Sequence, residues 1–384
     1  MSKRSAWIQT GIFLVFIFAF FIINLILPDK EFSERENRVL AQMPKFTIND
    51  LFFGNFTSKF ESYTTDQFTF RDSWTTLKAR AELSIGKQEN NGVYLCSVSP
   101  AEYENAPSYE LLIEQYESPA QKQIDTNLIA IETLIQNVDV PVYLALVPGA
   151  AEIWSDRLPE NAPNDSQKEL IDSVYSKTSA IMVDMFSPLY ANRSEYIFFH
   201  TDHHWTSLGA YYGYTALMNA MGMTCHDLDF YNRKTVSDEF YGTIYSTSGM
   251  SWVKPDVIET FVDSYEGLKI TNYPQGTPLD GLLYDNSFLE AKDKYAMFLG
   301  GNTPLMHIDT GIEDAPSLLI IRDSYIDSQV PLLLDSFSEI HLIDLRYYKA
   351  SLETYIDENQ IDNILICYSV TNFSTDSNIF LLGY

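Results

Sequence analysis

The chain has 384 residues, of which 46% are hydrophobic and 14% aromatic, so it can bury one large core or two modest ones, which excludes global disorder. Its 25 basic and 52 acidic side chains give a net charge of -27, which predicts no nucleic-acid partner. The three cysteines, Cys96, Cys225 and Cys367, are too few and too far apart for a disulfide framework or a zinc ribbon.

The first predicted element is a membrane span. Residues 5–28 carry no charge, and residues 11–27 are almost wholly apolar, which is long enough to cross a bilayer. Lys3 and Arg4 precede this stretch and no basic cluster follows it, so the first residues are expected in the cytoplasm. No small-residue cleavage motif follows, which favours an uncleaved signal anchor over a cleaved signal peptide. The sequence predicts a single-pass protein of the cell membrane, with residues 1–28 as cytoplasmic tip and anchor and the C-terminal domain extracytoplasmic.

The remainder divides into a stem and an α/β domain. Residues 29–92 mix charged, aromatic and turn-forming residues, which predicts a stem or cap segment. In residues 93–384, helical and strand patterns alternate, which is typical of a mostly parallel sheet flanked by helices. The predicted helices cover residues 111–136, 167–179, 207–221 and 325–337, the last interrupted near Pro331, and the predicted strands cover 140–147, 180–186, 318–321, 340–345 and 363–367. Residues from about 225 to 302 lack this pattern and are predicted to form an insertion over one end of the sheet.

Two polar segments follow apolar runs, where ligands of open α/β sheets are expected. The first, residues 198–207 (FFHTDHHWTS), holds three of the six histidines. In an extended segment Asp202 and His204 point to the same side and His203 points away. An aspartate that fixes an imidazole tautomer beside a nucleophile needs such proximity. The alternative is that the histidines and Trp205 only pack at a helix entrance.

The second polar segment is residues 318–325 (LLIIRDSY), in which an apolar strand ends abruptly in an Asp-Ser pair. A serine at a strand-to-helix turn exposes its hydroxyl, and its backbone N–H can stabilise an oxyanion. The alternative is that the pair only caps the following helix. Together with Asp202 and His204, Ser324 completes a Ser-His-Asp set.

These residues resemble a known family. The tetrapeptide at residues 202–205 (DHHW) is similar to the signature of the DHHW family, bacterial membrane-anchored proteins that resemble the periplasmic alginate O-acetylation proteins. Further similar segments follow in the same order along nearly the whole ectodomain, at residues 29–44, 66–72, 91–94, 241–243, 298–302 and 322–325. The resemblance implies a permuted SGNH-hydrolase-like α/β fold. It also implies an O-acyl (acetyl) transferase or esterase that acts on a cell-envelope polysaccharide.

The resemblance also implies roles for individual residues. In the similar proteins a D-x-H pair and a later serine form the catalytic triad, which maps onto Asp202, His204 and Ser324. The sequence departs from the family pattern at Arg322, which stands where the serine turn of the relatives has glycine. The predicted oxyanion or substrate-binding groups are the Ser324 N–H and either the Asn302 side chain or the Gly301 N–H.

Arg346 follows the predicted strand at 340–345 and is expected at the same sheet end. It is predicted to hold a carboxylate or orient the acyl donor, with a surface salt bridge as the alternative. The expected partners are a cell-envelope glycan, an acyl donor and a membrane-bound O-acyltransferase. Neither a cofactor nor a metal is predicted, and the sequence is compatible with acyl transfer to a sugar hydroxyl as well as with hydrolysis by water.

Three other functions compete with this one. A catalytically silent glycan-binding or scaffolding component of a polysaccharide-modification complex would keep the fold without the chemistry. A metal-dependent phosphoesterase would use Asp202, His203 and His204 as ligands, but it needs further ligand clusters. The other histidines considered, His226, His307 and His341, are isolated in the sequence. An oxidoreductase would need a glycine-rich phosphate loop after a strand, and the sequence offers none.

Overall fold

A computed structural model describes residues 3–33, 35, 38–98 and 109–383. The first two residues of the predicted cytoplasmic tip and residues 99–108 of the predicted α/β domain lie outside this part of the chain. The helices are α1 (Lys3–Ile26), α2 (Ile48–Phe52), α3 (Asn55–Asp66), α4 (Arg71–Ser84), α5 (Gln121–Asn137), α6 (Ala150–Ile153), α7 (Gln167–Tyr175), α8 (Phe186–Ala191), α9 (Ser207–Met221), α10 (Thr243–Ser248), α11 (Val330–Leu333), α12 (Leu352–Glu358) and α13 (Val370–Thr375). The strands are β1 (Phe32–Ser33), β2 (Arg38–Val39), β3 (Glu89–Asn90), β4 (Val93–Val98), β5 (Tyr109–Glu114), β6 (Val142–Val147), β7 (Ile181–Val183), β8 (Lys234–Phe240), β9 (Asp256–Thr260), β10 (Lys269–Asn272), β11 (Leu279–Asp280), β12 (Leu305–Asp309), β13 (Leu318–Arg322), β14 (Glu339–Ile343) and β15 (Asn363–Ser369).

The chain divides into two compact units, one of residues 1–90 with 246–251 and one of residues 91–245 with 252–384. In the first unit, the 20 residues Trp7–Ile26 form a helix long and apolar enough to cross a membrane. Near the end of this helix, the Asn24 side-chain oxygen accepts hydrogen bonds from the backbone N and the hydroxyl of Thr69, at 3.1 and 3.0 Å. The predicted boundary between stem and α/β domain, after residue 92, stays a prediction.

An eight-stranded sheet in the order β11-β10-β12-β14-β13-β15-β6-β7 forms the centre of the second unit. Strands β14, β13, β15, β6 and β7 are parallel to one another. Strands β12, β10 and β11 add to the β14 edge in antiparallel pairs. This arrangement, with helices along the same chain, confirms the predicted fold class, α/β with a mostly parallel sheet.

The sequence explains the central elements. All six residues of β6 (VYLALV) are buried, as in a strand covered by helices on both faces. Helix α9 begins after Thr206, whose side chain accepts from the Gly209 N–H, and ends at Gly222 with φ of 67°. A side chain at Gly213 in this helix would meet the Trp205 ring at 2.6 Å, so the absence of a side chain there lets the helix pack against the indole.

Two predictions are wrong in part. The helix predicted for residues 111–136 starts only at Gln121, because residues 109–114 pair with β4 as a strand. An apolar run as short as LLI fits either a strand or a helix, and pairing with β4 decides for the strand. The insertion predicted at 225–302 does more than cover the sheet, since its strands β10 and β11 extend the sheet beyond β12.

Candidate functional site

The candidate site lies at the carboxyl ends of the parallel strands. Ser324 comes two residues after β13, and Ser369 ends the neighbouring β15. Ser369 pairs with Val147, the last residue of β6. Open α/β sheets bind their ligands at this edge. The polar residues predicted from the two segments therefore lie where chemistry is expected.

The structure brings Asp202, His204 and Ser324 into one line of hydrogen bonds. Asp202 Oδ1 lies 2.6 Å from His204 Nδ1, and His204 Nε2 lies 2.9 Å from Ser324 Oγ, although the serine is 120 residues away in the chain. Because an ionised carboxylate can only accept, the proton of a neutral His204 belongs on Nδ1 and its Nε2 accepts from the Ser324 hydroxyl. This is the geometry needed for a histidine that removes a serine proton.

Asp202 is held by local backbone geometry. Its Oδ1 also accepts from the His204 backbone N at 3.0 Å, which is the pattern of an Asx turn. Its Oδ2 accepts from the Thr243 backbone N at 2.8 Å and from the Thr243 hydroxyl at 3.1 Å. Residues 201–204 are bends and not a regular strand, so the contact between Asp202 and His204 comes from this turn and not from strand alternation.

The buried environment sets the charge states. Burial and then the neighbouring His203 lower the pKa of His204 from 6.5 to about 4, even though Asp202 favours the charged form. Burial alone would raise the pKa of Asp202, but His203, His204 and the Thr243 N–H outweigh it and hold that pKa below its usual value. At neutral pH the pair is therefore a neutral imidazole beside a carboxylate.

The turn that carries Ser324 is braced by Asp323. Asp323 Oδ1 accepts from the Tyr325 backbone N at 3.0 Å and caps the 3₁₀ helix Ser324–Ser328. Its Oδ2 accepts from the N and Oγ of Ser369 at 2.9 and 2.8 Å and from Asn372 Nδ2 at 2.8 Å. The capping role that was the alternative for the Asp-Ser pair thus belongs to Asp323, and the Ser324 hydroxyl contacts His204.

Three aromatic residues join the two segments. The buried Trp205 indole N–H donates to the Tyr325 carbonyl at 2.7 Å, and the Tyr325 hydroxyl donates to the His203 carbonyl. The Tyr295 ring stacks on the His204 imidazole at 3.8 Å between centroids. Its hydroxyl donates to the Ser324 carbonyl at 3.1 Å. The Trp205 indole thereby links the tetrapeptide to the turn that carries Ser324.

His203 does not point away from Asp202 and His204 as the strand alternation predicts, because its ring centroid lies 3.8 Å from that of His204 and its Nδ1 lies 3.6 Å from Asp202 Oδ1. The His203 Nδ1 also lies 2.7 Å from the Thr243 hydroxyl. Possible metal-binding atoms of Asp202, His203 and His204 lie within 4.8 Å of one another, so the phosphoesterase alternative has a ligand cluster in space. Both ring nitrogens of His204 are already engaged, and a metal on either one would have to displace Asp202 or Ser324.

The predicted oxyanion and substrate-binding residues, and the arginine that replaces the family glycine, differ in burial and in their partners. Asn302 is exposed, and its side-chain oxygen accepts a long hydrogen bond of 3.4 Å from Arg322, while Gly301 has φ of 86°. Arg322, in the place of the family glycine, is buried and forms an ion pair with Asp327 at 2.6 Å. Arg346 forms an ion pair at 2.6 Å with Asp344, which is buried and therefore not part of a surface salt bridge, and the role of Arg346 with a donor stays a prediction.

Sequence reasoning did not assign roles to Thr243, Asp323 and Tyr295. Thr243 and Asp323 both lie in segments that resemble the family, and this resemblance could have indicated that they belong to the site. No sequence feature distinguished Tyr295, because the chain has 25 tyrosines and this one lies in a region without a clear helix or strand pattern.

Comparisons with known proteins give a family and a shared fold. The profile of the family described as "DHHW protein" matches residues 115–343, more than half of the chain. A DHHW family protein from Eubacterium siraeum superposes with a TM-score of 0.65 at 23% identity, covering 76% of this chain and 95% of its own. PatB1 from Bacillus cereus, solved with a sulfonyl adduct, superposes with a TM-score of 0.60 at 21% identity, covering 74% and 98%. No curated protein sequence matches the chain. At these identities the structural matches show a shared fold.

Proposed function

The chain belongs to the DHHW family, and we propose that it is a membrane-anchored O-acyltransferase or esterase that uses Ser324 as nucleophile on a cell-envelope polysaccharide. The observation that carries the proposal is the line from Asp202 through His204 to Ser324, with contacts of 2.6 and 2.9 Å. A binding protein has no need of a serine hydroxyl aligned with a buried, neutral histidine. The geometry therefore favours chemistry over the silent glycan-binding alternative.

The proposed reaction has two halves. Ser324 Oγ attacks the carbonyl carbon of the acyl donor as His204 Nε2 takes the hydroxyl proton, and the resulting imidazolium gives that proton to the leaving group. The acyl-serine ester is then attacked by an acceptor hydroxyl, whose proton passes to His204 and on to the departing Ser324 oxygen. Asp202 keeps the imidazole in the correct tautomer and stabilises its charged form. A sugar hydroxyl as acceptor gives transfer, and water gives hydrolysis.

The oxyanion needs donors close to Ser324. As the first residue of its 3₁₀ helix, Ser324 has a backbone N–H with no acceptor within that helix. The Asn302 oxygen faces Arg322, which leaves the amide nitrogen of the same side chain as the second proposed donor. Gly301 offers the alternative backbone donor. Such groups stabilise the transition state because charge develops where they already point.

The acceptor is proposed to be a glycan on the basis of the family resemblance. Tyr241 and Tyr245 lie on either side of the segment that contacts Asp202, with ring centroids 4.5 Å apart, and both are half-buried. Partly exposed aromatic rings suit stacking on sugar faces. With helix α1 as anchor and the α/β unit outside the cell, the site would meet envelope polymers, while a membrane-bound O-acyltransferase would supply the acyl group.

A sulfonyl fluoride tests the nucleophile directly, and the sulfonyl adduct of PatB1 supports its choice as the probe. Ser324 Oγ would attack the sulfur and fluoride would leave, with His204 taking the serine proton. We expect the full chain in detergent to acquire one label, located on the Ser324 peptide by mass spectrometry. The labelled protein should also fail to transfer or release acetyl groups from an acetyl ester, and the product of that assay distinguishes transfer from hydrolysis.

The control for labelling is a second serine in the same unit. Ser336→Ala, which lies outside the hydrogen-bond line, should label like the wild type, whereas Ser324→Ala should not label. Labelling that persists in Ser324→Ala, or that occurs elsewhere without loss of activity, would contradict the proposed nucleophile.

The lowered pKa of His204 predicts an unusual pH profile. The base must be neutral to accept a proton, and with a pKa of about 4 instead of 6.5 it stays neutral down to mildly acidic pH. We therefore expect kcat/KM to be nearly constant from pH 7 to 5 and to fall as the pH passes through about 4. Because kcat/KM reports groups of the free enzyme, a stopped assay across this range measures it. An acidic limb near 6.5 would contradict the lowered pKa of the catalytic base.

A further inference from the structure

A second cluster of ligand-forming side chains lies away from Ser324. His307 is on β12 and is directly opposite His341 on the antiparallel neighbour β14. Glu339 precedes His341 by two residues and so projects from the same face of the sheet. The two histidines are isolated in the sequence, and only the pairing of β12 with β14 brings them together. This corrects the sequence analysis, which found a single histidine cluster.

The three side chains converge on one point. His307 Nε2 lies 3.3 Å and His341 Nε2 lies 3.2 Å from the same oxygen, Glu339 Oε2. Metal–ligand bonds of about 2.0–2.2 Å in a tetrahedral zinc site place the ligand atoms roughly 3.3 Å apart. Candidate ligand atoms of all three residues lie within 4.8 Å of one another. Small side-chain rotations would therefore be enough to close a coordination shell.

The surroundings suit a metal as well. His341 is buried, and its other ring nitrogen, Nδ1, lies 2.8 Å from the Tyr355 hydroxyl on α12, which fixes the orientation of the ring. The side chains of His307 and Glu339 are 27% and 44% exposed, which leaves a path for an ion and room for a solvent ligand.

We propose that His307, Glu339 and His341 bind one divalent transition-metal ion of the zinc type, with solvent completing the shell. Two imidazoles and a carboxylate are ligands that such ions accept. The ion would link β12 to β14 at the junction between the antiparallel and parallel parts of the sheet. Its role would be to stabilise the mixed sheet, because metal that binds only the folded state raises stability.

The proposed metal site is independent of the proposed catalysis. Ile340, next to Glu339, pairs with Leu318 at the start of β13, whereas Ser324 follows the end of that strand. At about 3.3 Å per residue, the two sites lie roughly 20 Å apart along the strand direction. The two proposals can therefore be tested separately. Absence of acyl transfer would not exclude metal binding, and absence of metal binding would not exclude acyl transfer.

Zinc titration of the full chain tests the proposal. The untagged protein in detergent is stripped with a chelator and titrated with zinc chloride by calorimetry, with thermal unfolding followed in parallel. We expect one zinc per chain at this cluster, a higher unfolding midpoint with zinc, and at least tenfold weaker binding in His307→Ala and in Glu339→Gln. His226→Ala is the matched control, since that histidine lies outside the cluster, 3.8 Å from Asp335, and should bind zinc like the wild type.

A second measurement needs no variant. Diethyl pyrocarbonate modifies accessible imidazoles, and zinc should protect the peptide that contains His307 without protecting the one that contains His226. Unchanged zinc affinity in His307→Ala and Glu339→Gln, the absence of protection at His307, or zinc binding that is lost only in His203→Ala would each overturn the proposal. The last result would place the ion at the Asp202 cluster instead.

Discussion

Replacing Ser324 by alanine is expected to lower kcat/KM for acyl transfer by about 10⁴- to 10⁶-fold, and His204→Ala should do the same. The two side chains share one proton in one step, so the double variant should be about as inactive as either single variant. Hydrolysis of a chromogenic acetyl ester and acetyl transfer to a polysaccharide acceptor, measured on the three variants and the wild type, provide the comparison.

The controls separate chemistry from folding. Because Asp323 caps the 3₁₀ helix, Ser324→Ala should leave the thermal midpoint almost unchanged, whereas loss of an N-cap costs about 1 kcal/mol. Ser336→Ala should keep full activity. Partial losses from Ser324→Ala and His204→Ala that simply add in the double variant would argue against a shared step. Such a result would favour the silent glycan-binding function.

The parts of the fold that the sequence predicted well are those set by local signals. Helix α9 was predicted at residues 207–221 and occupies those residues, because Thr206 and Gly222 mark its ends. The interruption predicted near Pro331 is also present, since the 3₁₀ helix ends at Ser328 and α11 begins at Val330 with Pro331 in its first turn. Strand β5 was missed because its partner β4, and not its own residues, determines its conformation.

In the candidate site, too, the residues with local sequence signals could be predicted and those that depend on long-range contacts could not. Asp202, His204 and Ser324 could be chosen because each follows an apolar run and because the tetrapeptide resembles a family signature. Tyr295 and the bracing of Asp323 by Ser369 could not, since these contacts join segments far apart in the chain. The cluster of His307 with His341 was missed for the same reason, because it depends on strand register and has no signal in sequence spacing.

The close packing of Gly242 on Asp202 gives the second large expected effect. A Cβ atom at Gly242 would lie 2.2 Å from Asp202 Cβ and 2.3 Å from Asp202 Oδ2, well inside contact distance. The carboxylate would have to move, and it would then lose His204 Nδ1 and the two Thr243 donors together. The imidazole would keep Ser324 within reach but lose the group that fixes its tautomer.

Gly242→Ala is therefore expected to lower kcat by about 10²- to 10⁴-fold, approaching the effect of an Asp-to-Asn change in a triad. KM for a small acetyl ester should change little, because that substrate does not need the sugar-stacking role proposed for Tyr241 and Tyr245. The matched control is Gly383→Ala. The nearest neighbour of its new Cβ would be the Cβ of Thr133 at 3.5 Å, which is an ordinary van der Waals distance. Steady-state kinetics of both variants, with the sulfonyl fluoride labelling rate of Ser324 as a second readout, measure the effect. Wild-type activity in Gly242→Ala would show that catalysis does not depend on the Asp202 carboxylate in this position, and Ser324 and His204 would then act as a pair without it.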